Sequence, residues 1–233
     1  ASEDIQNCAD QGIQIMGGMG FSADMPMESA WRDSRIGRIY EGTNEINRML
    51  SIGLLLKKGM KGELDLMPAV MQAAVKLGSE KLEKIEAKTL AQESHMIGNF
   101  KKLFLMITGN ATQKYGTKLE EEQQVLQALA DILIKIYFAE SALLRTLKNC
   151  TRNGIETQEI QIAMVRNYVF EAQNLITKRA KEVILHITGD NITERNQLLQ
   201  VLQKHGEYVD YPDGIALKIK IADQLINEKK YCF

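Results

Sequence analysis

Hydrophobic residues recur along this chain at intervals of three and four, the spacing of helices that bury one face. Ile5, Cys8, Ala9, Gly12, Ile13 and Met16 already follow it, so the chain is expected to open inside a helix, as a fragment would. Pro26 precedes a second expected helix, which carries Trp31 and a row of Arg32, Arg35 and Arg38. Ile46, Met49, Leu50, Gly53 and Leu54, at i, i+3, i+4, i+7 and i+8, predict a third. Residues 57–66, KKGMKGELDL, read as a linker, with Pro68 at a first helical position just beyond it.

The remainder reads as long helices. Met71, Val75, Gly78, Leu82, Ile85 and Thr89 share one face of a helix expected to reach about His95. A helix over 99–115 ends near Gly116, and Thr117-Lys-Leu-Glu120 forms a capping box for the next. That helix has a seam of Leu126, Leu129, Leu133, Ile136, Leu143 and Leu147, with Glu140 in the stripe. Another spans about 156–186 with Val165, Tyr168, Ala172, Leu175 and Ile176 inward. Shorter ones follow near 191–205 and 213–229, the last with Ile215, Ile219, Ala222 and Ile226 on one face. No alternating strand pattern, internal repeat or low-complexity tract occurs. The fold class is therefore all-α. A glycine-broken region over 1–56 leads through the linker to an antiparallel helical bundle over 67–233.

Composition narrows the chemistry. Three prolines in 233 residues suit helices, and a formal net charge of −1 offers no reason to expect nucleic acid as partner. No uncharged apolar run is long enough to span a bilayer. Cys8, Cys150 and Cys232 lack metal-ligand spacing and read as thiols of a reducing compartment. No leader pattern is present, so the three Asn-X-Thr sequons read as chance and the protein is expected not to be secreted. His95, His186 and His205 fall near expected helix C-termini without a second ligand at i+3 or i+4, so no metal is expected. Glu140 is expected to pair with Arg145 or Arg166, and the eleven methionines read as core fillers.

The break at 41–44, EGTN, stands apart. Thr43 is a natural N-cap for the third helix, and Gly42 can adopt the left-handed backbone of a sharp turn. Glu41 would then lie at a helix mouth whose free amides attract anions. In dry surroundings its pKa would rise toward the range of a proton-abstracting base. The glycine cluster QIMGGMGF, 14–21, follows a helix rather than a strand, so it is neither a dinucleotide fingerprint nor a P-loop. It reads either as a helix cap and turn or as bare backbone that lets a ligand approach.

Together these motifs carry a resemblance. Gln14-Ile-Met-Gly-Gly-Met-Gly-Phe21, then Arg32-Asp33, then Arg38-Ile-Tyr-Glu-Gly-Thr-Asn44 closely resembles, in order and spacing, the last part of the acyl-CoA dehydrogenase flavoenzymes. Ser29 departs from it, standing where the family pattern usually has Lys or Arg. The stretch GTKLEEEQQVLQALADILIKIYFAESALLRTL resembles, more weakly, the extra helical domain of the very-long-chain branch. The resemblance implies oxidation of a long-chain fatty acyl-CoA in β-oxidation, with FAD as cofactor. It implies that Glu41 removes the α-proton and that Gly42 neighbours the substrate; some branches place the base elsewhere. It also implies that Gln14, Gly17 and Gly18 contact the FAD adenosine end, often across a subunit boundary. Thr43 and Asn44 would meet the FAD phosphates, and Glu45 holds a further cofactor-contact position.

By the same resemblance, an electron-transferring flavoprotein is the expected acceptor and a homo-oligomer, with a dimer favoured, the expected assembly. Location would be cytoplasmic in a bacterium, or at the mitochondrial matrix or inner-membrane face in a eukaryote. Peripheral membrane contact is a further expectation, with FKKLFLMI, 100–107, as its amphipathic candidate. The family's β-domain has no counterpart here, so this chain alone is expected to lack FAD and to be catalytically silent. The alternative is a non-catalytic helical interaction or oligomerisation module that keeps the motif as inherited packing.

Overall fold

The computed structural model describes residues 1–79 and 88–230, and these contain nine α-helices and no strand. The chain divides into two compact units, one over Ala1–Ser51 and one from Ile52 onward, with the boundary falling in the sequence of the third helix.

The first unit holds α1 (Ser2–Met16), α2 (Pro26–Ile36) and the start of α3 (Asn44–Met60). Pro26 opens α2 at a position where its missing amide costs nothing. A 3₁₀ turn, Gly17–Phe21, lets α2 fold back on α1. Gly20 is needed there: a Cβ on it would fall 2.8 Å from Met16 Cβ and 2.9 Å from the Ile13 carbonyl oxygen.

The second unit continues with α4 (Leu66–Ser79), α5 (Ala91–Tyr115), α6 (Gln123–Asn153), α7 (Glu159–Thr188), α8 (Ile192–Gly206) and α9 (Gly214–Glu228). α7 is its axis and packs against α5, α6, α8 and α9. Its buried residues, among them Val165, Val169, Ala172, Ile176, Ala180 and Ile184, spread around the helix because it has neighbours on several sides. α6 has one buried stripe: Leu126, Leu129, Ile132, Ile136, Ala139 and Leu143. Short connections reverse the chain between α5, α6, α7 and α8. Asn191 caps α8 by accepting from the Glu194 amide, and Asp213 caps α9 by accepting from Ile215 and Ala216.

Several expectations change in the folded chain. α3 runs on to Met60, with Lys57 and Lys58 in its last turn, where cations suit the helix dipole. The break is therefore only residues 61–65, turned at Gly62 (φ 72°), and Leu66 already begins α4. The helix expected to reach His95 does not: Leu90, at φ 58°, precedes the separate α5. This places His95 in the first turns of α5 rather than near a C-terminus. Leu82 and Ile85 lie outside the described residues. The buried face of α4 is Ala73 and Leu77, while Met71 and Val75 are 64% and 69% exposed. Gly109 on α5 decides this, because a Cβ there would fall 2.5 Å from Val70 Cγ1; the missing side chain makes the notch that seats α4.

Gly116–Glu121 forms a 3₁₀ turn, so Thr117 and Glu120 make no capping box and α6 starts later without a side-chain cap. Leu133 and Leu147 are only half-buried, and Tyr168 and Leu175 likewise. Glu140 lies beside the stripe and accepts from Lys101, while Arg166 pairs with the buried Glu93 at 3.6 Å. The methionines divide: Met96 and Met106 are core, whereas Met19, Met60, Met67 and Met71 are exposed. Within 100–107, Phe100, Leu103, Phe104, Met106 and Ile107 are buried, so this segment is core and not a surface for a membrane. No helix among the described residues is long and apolar enough to cross one.

Candidate functional site

The site is built where α2 gives way to α3. After α2 the backbone tightens, with the Ile39 and Tyr40 amides both donating to the Ile36 carbonyl. Glu41 (φ 59°) and Gly42 (φ 88°) then both take left-handed backbone and reverse the chain. The Asn44 amide closes the loop onto the Arg38 carbonyl at 3.1 Å. Glycine pays nothing for such a φ, whereas glutamate is strained by roughly 1–2 kcal/mol. The Glu41 carboxylate is exposed and has no hydrogen-bond or ion-pair partner among the described residues. A strained, uncommitted acid held by its neighbours is the pattern of a functional position.

Thr43 caps α3 as its sequence position suggests: the Ile46 amide donates to Thr43 Oγ1 at 3.3 Å. The Glu45 carboxyl lies below its ordinary pKa because its own backbone amide and then the Thr43 hydroxyl donate to it. With Asn44, Glu45 and Ile46 all engaged, the helix mouth is closed by its own groups instead of presenting free amides. Asn47, unnoticed in the sequence, donates from Nδ2 to the Gly42 carbonyl at 2.7 Å and pins the turn. A Cβ on Gly42 would fall 3.0 Å from Asn47 Oδ1. Gly42→Ala is therefore expected to destabilise the first unit by about 2 kcal/mol, from strain and the loss of this bond. Urea unfolding measures it; a change within experimental error would mean the turn is not held as described.

α1 braces the same corner. Ser2 Oγ donates to Asn44 Oδ1 at 2.9 Å, and Glu3 receives Arg48 at 2.5 Å and Arg38 at 3.6 Å. Partial burial alone would raise the Glu3 pKa, but hydrogen bonds from Arg48 and Asn44 and the charges of Arg48 and Arg38 outweigh it and hold it below the ordinary range. The basic residue four places after Asn44 was the visible signal for this brace. Its acidic partner, 45 residues away, was not.

Gln14, Gly17 and Gly18 are exposed at the other end of α1. The Gly17 amide donates to the Gln14 carbonyl, ending the helix, and a Cβ on Gly17 or Gly18 would meet nothing within 4 Å. Twelve residues of α1 separate Ser2 from Gln14, roughly 18 Å at the helical rise. The candidate positions thus form two groups: Glu41, Gly42, Thr43, Asn44 and Glu45 at one end of α1, and Gln14, Gly17 and Gly18 at the other.

Within the second unit, a cavity of about 560 Å³ lies between the end of α3, α4 and α5, lined by Leu56, Met60, Leu66, Val70, Thr108 and Leu119 among others. Thr108 is 1% exposed and its hydroxyl has no hydrogen-bond partner among the described residues. Thr108→Val keeps the shape and removes the orphaned hydroxyl. It is expected to stabilise the chain by about 1 kcal/mol in thermal unfolding; destabilisation would show that the hydroxyl is satisfied. His205 is buried with Nε2 3.0 Å from the Leu77 carbonyl, and His186 lies 3.3 Å from Glu122. Among the described residues no three His, Cys, Asp or Glu side chains gather as a metal site requires.

Two family models match the chain, both described as "Acyl-CoA dehydrogenase, C-terminal domain": one over residues 1–53 and one over 99–204. Together they take in about two thirds of it, and the chain belongs to the acyl-CoA dehydrogenase family as C-terminal domain sequence. A Bacillus subtilis protein named "Probable acyl-CoA dehydrogenase" is 38% identical over 87% of this chain and 34% of its own length. The very long-chain specific acyl-CoA dehydrogenase of Rattus norvegicus is 28% identical over 75% of this chain and 29% of its own. The short-chain specific enzyme of Sus scrofa is 53% identical, but over only 24% of this chain and 14% of its own. A crystal structure of an acyl-CoA dehydrogenase complexed with FAD from Bacillus anthracis superposes with a TM-score of 0.96 at 36% identity, covering all of this chain and 39% of that one. The chain thus spans about a third of the length of the Bacillus relatives.

Proposed function

We propose that this chain is the C-terminal part of an FAD-dependent acyl-CoA dehydrogenase of the long- or very-long-chain branch. The observation that carries the chemistry is Glu41, an unpartnered carboxylate held at φ 59° between two braced helices. In the complete enzyme Glu41 abstracts the α-proton of a fatty acyl-CoA. Gly42 keeps the neighbouring backbone bare for the thioester, whose carbonyl accepts from the Glu41 amide. FAD held there would supply the acceptor for the hydride of the β-carbon.

The residues present fit that cofactor. Gly17 and Gly18 offer open backbone with no atom where a Cβ would stand. The Thr43 hydroxyl and the Asn44 and Glu45 positions crown a helix N-terminus, which favours phosphate once the capping contacts are exchanged. The separation of the two groups along α1 suits contacts to different parts of an extended dinucleotide, or to cofactors of two subunits. An electron-transferring flavoprotein would take the electrons, and the enzyme would be a homo-oligomer, most simply a dimer. The long-chain assignment is supported by the extent of the match to the very long-chain enzyme and the short reach of the match to the short-chain one. A non-catalytic helical interaction module is the competing function; the strain retained at Glu41 argues against it, because packing alone would favour glycine there.

The visible absorption spectrum of the purified chain, alone and with a long-chain acyl-CoA, tests the proposal together with the same measurement on the complete enzyme. A colourless chain and a complete enzyme whose flavin bleaches are expected. A complete protein without flavin would favour the module, and a flavin that bleaches in this chain alone would refute its silence.

A further inference from the structure

The last described helix, α9, packs on α7 with one side, and among the described residues no element covers the other. Leu217, Ile221 and Gln224 are the half-buried side, while Lys218 and Lys220 reach Glu171 and Glu159 on α7 at 2.5 and 2.8 Å. Diametrically opposite, Ile215, Ile219 and Ile226 are 74%, 56% and 69% exposed, with exposed Ala222 between them. Their spacing is four, three, four, the alternation of a coiled-coil seam, with Ile219 and Ile226 at a and Ile215 and Ala222 at d. A helix that only needed to cover α7 would place polar residues there, as surface helices do.

We propose that this seam pairs with α9 of a second copy of the chain, in parallel, about a two-fold axis along the helix. Charge selects the partner and its direction. Lys218 occupies the g position beside Ile219, and Asp223 the e position beside Ala222. They are five residues apart, the offset at which a g residue of one helix meets an e residue of the other in a parallel pair. The two-fold makes the contact twice, Lys218 to Asp223 in each direction. The Lys218–Glu171 pair is exposed on both sides, so sharing Lys218 with a second acid costs little. An antiparallel pair would instead set Lys218 against Leu225.

Two heptads bury less than the roughly 800 Å² per partner of a stable interface, so the seam forms a weak, concentration-dependent contact or reinforces a larger one. The helix is already capped by Asp213 and seated on α7, so pairing requires no folding. This inference rests on the self-association proposed above and names a surface for it; it is independent of Glu41, which belongs to the other unit.

Sedimentation velocity of the full chain, from low micromolar to near-millimolar concentration, tests it. An association step is expected that Ile219→Lys weakens at least tenfold while circular dichroism stays unchanged. Lys218→Glu should weaken it roughly 5–10-fold, and Lys218→Glu combined with Asp223→Lys should restore it. A chain monomeric throughout, an association indifferent to Ile219→Lys, or a double variant that fails to recover would each overturn the parallel α9 pair. Association that survives Ile219→Lys would leave the homo-oligomer standing on another face.

Discussion

Replacing Glu41 by glutamine in the complete enzyme is expected to leave the protein folded and to slow flavin reduction by acyl-CoA roughly 10³-fold, within the range that general bases contribute. Glutamine keeps the length of the side chain but cannot accept a proton. Nothing in the fold depends on the carboxylate, because no described residue pairs with it. A companion variant separates chemistry from stability. Glu41→Gly removes the acid and relieves a φ of 59° that only glycine adopts freely. Relief of strain exceeds the extra chain entropy of glycine, so this variant should be more stable by roughly 0.5–1 kcal/mol and equally inactive. Stopped-flow bleaching of the flavin and urea unfolding read the two effects. Normal bleaching in the Gln variant would remove Glu41 as the base; a less stable Gly variant would mean the turn is not strained.

Phe100→Ala should cost about 3–5 kcal/mol, the range for deleting a buried aromatic side chain. Phe100 is fully buried on α5, which packs against α4, α6, α7 and α8, so no single neighbour can collapse into the space left behind. Total stabilities of about 5–15 kcal/mol make this a large fraction. The expected readout is a marked drop in the urea midpoint of the second unit. The same variant arbitrates between core and membrane roles for residues 100–107. A surface docking segment would lose little stability and much vesicle affinity; a core residue does the reverse.

The sequence showed where helices are more clearly than what they touch. Helix starts with local chemistry were legible: Pro26 opens α2, Thr43 caps α3, and Asn191 and Asp213 begin α8 and α9. Thr117 and Glu120 carry an equally good local signal, yet the chain there winds into a 3₁₀ turn. Periodicity names two or more apolar faces on a helix as rich as α4 or α9, and neighbours decide between them. On α4 the choice fell to Gly109, about 40 residues away, whose missing side chain seats Val70.

The candidate site divides in the same way. The spacing of the glycines, the arginines and Glu41 sufficed for the family, because a family pattern is a one-dimensional fact. The left-handed backbone at Glu41, the Asn47 bond and the Glu3–Arg48–Arg38 brace needed coordinates, since each joins residues whose distance in space no local preference sets. Helix content and the family were thus written in short-range pattern and capping chemistry. Which faces are buried, how the turn holds Glu41 under strain, and that α9 keeps an isoleucine seam in solvent were decided by tertiary packing, where contacts between distant residues choose among faces that periodicity leaves equivalent.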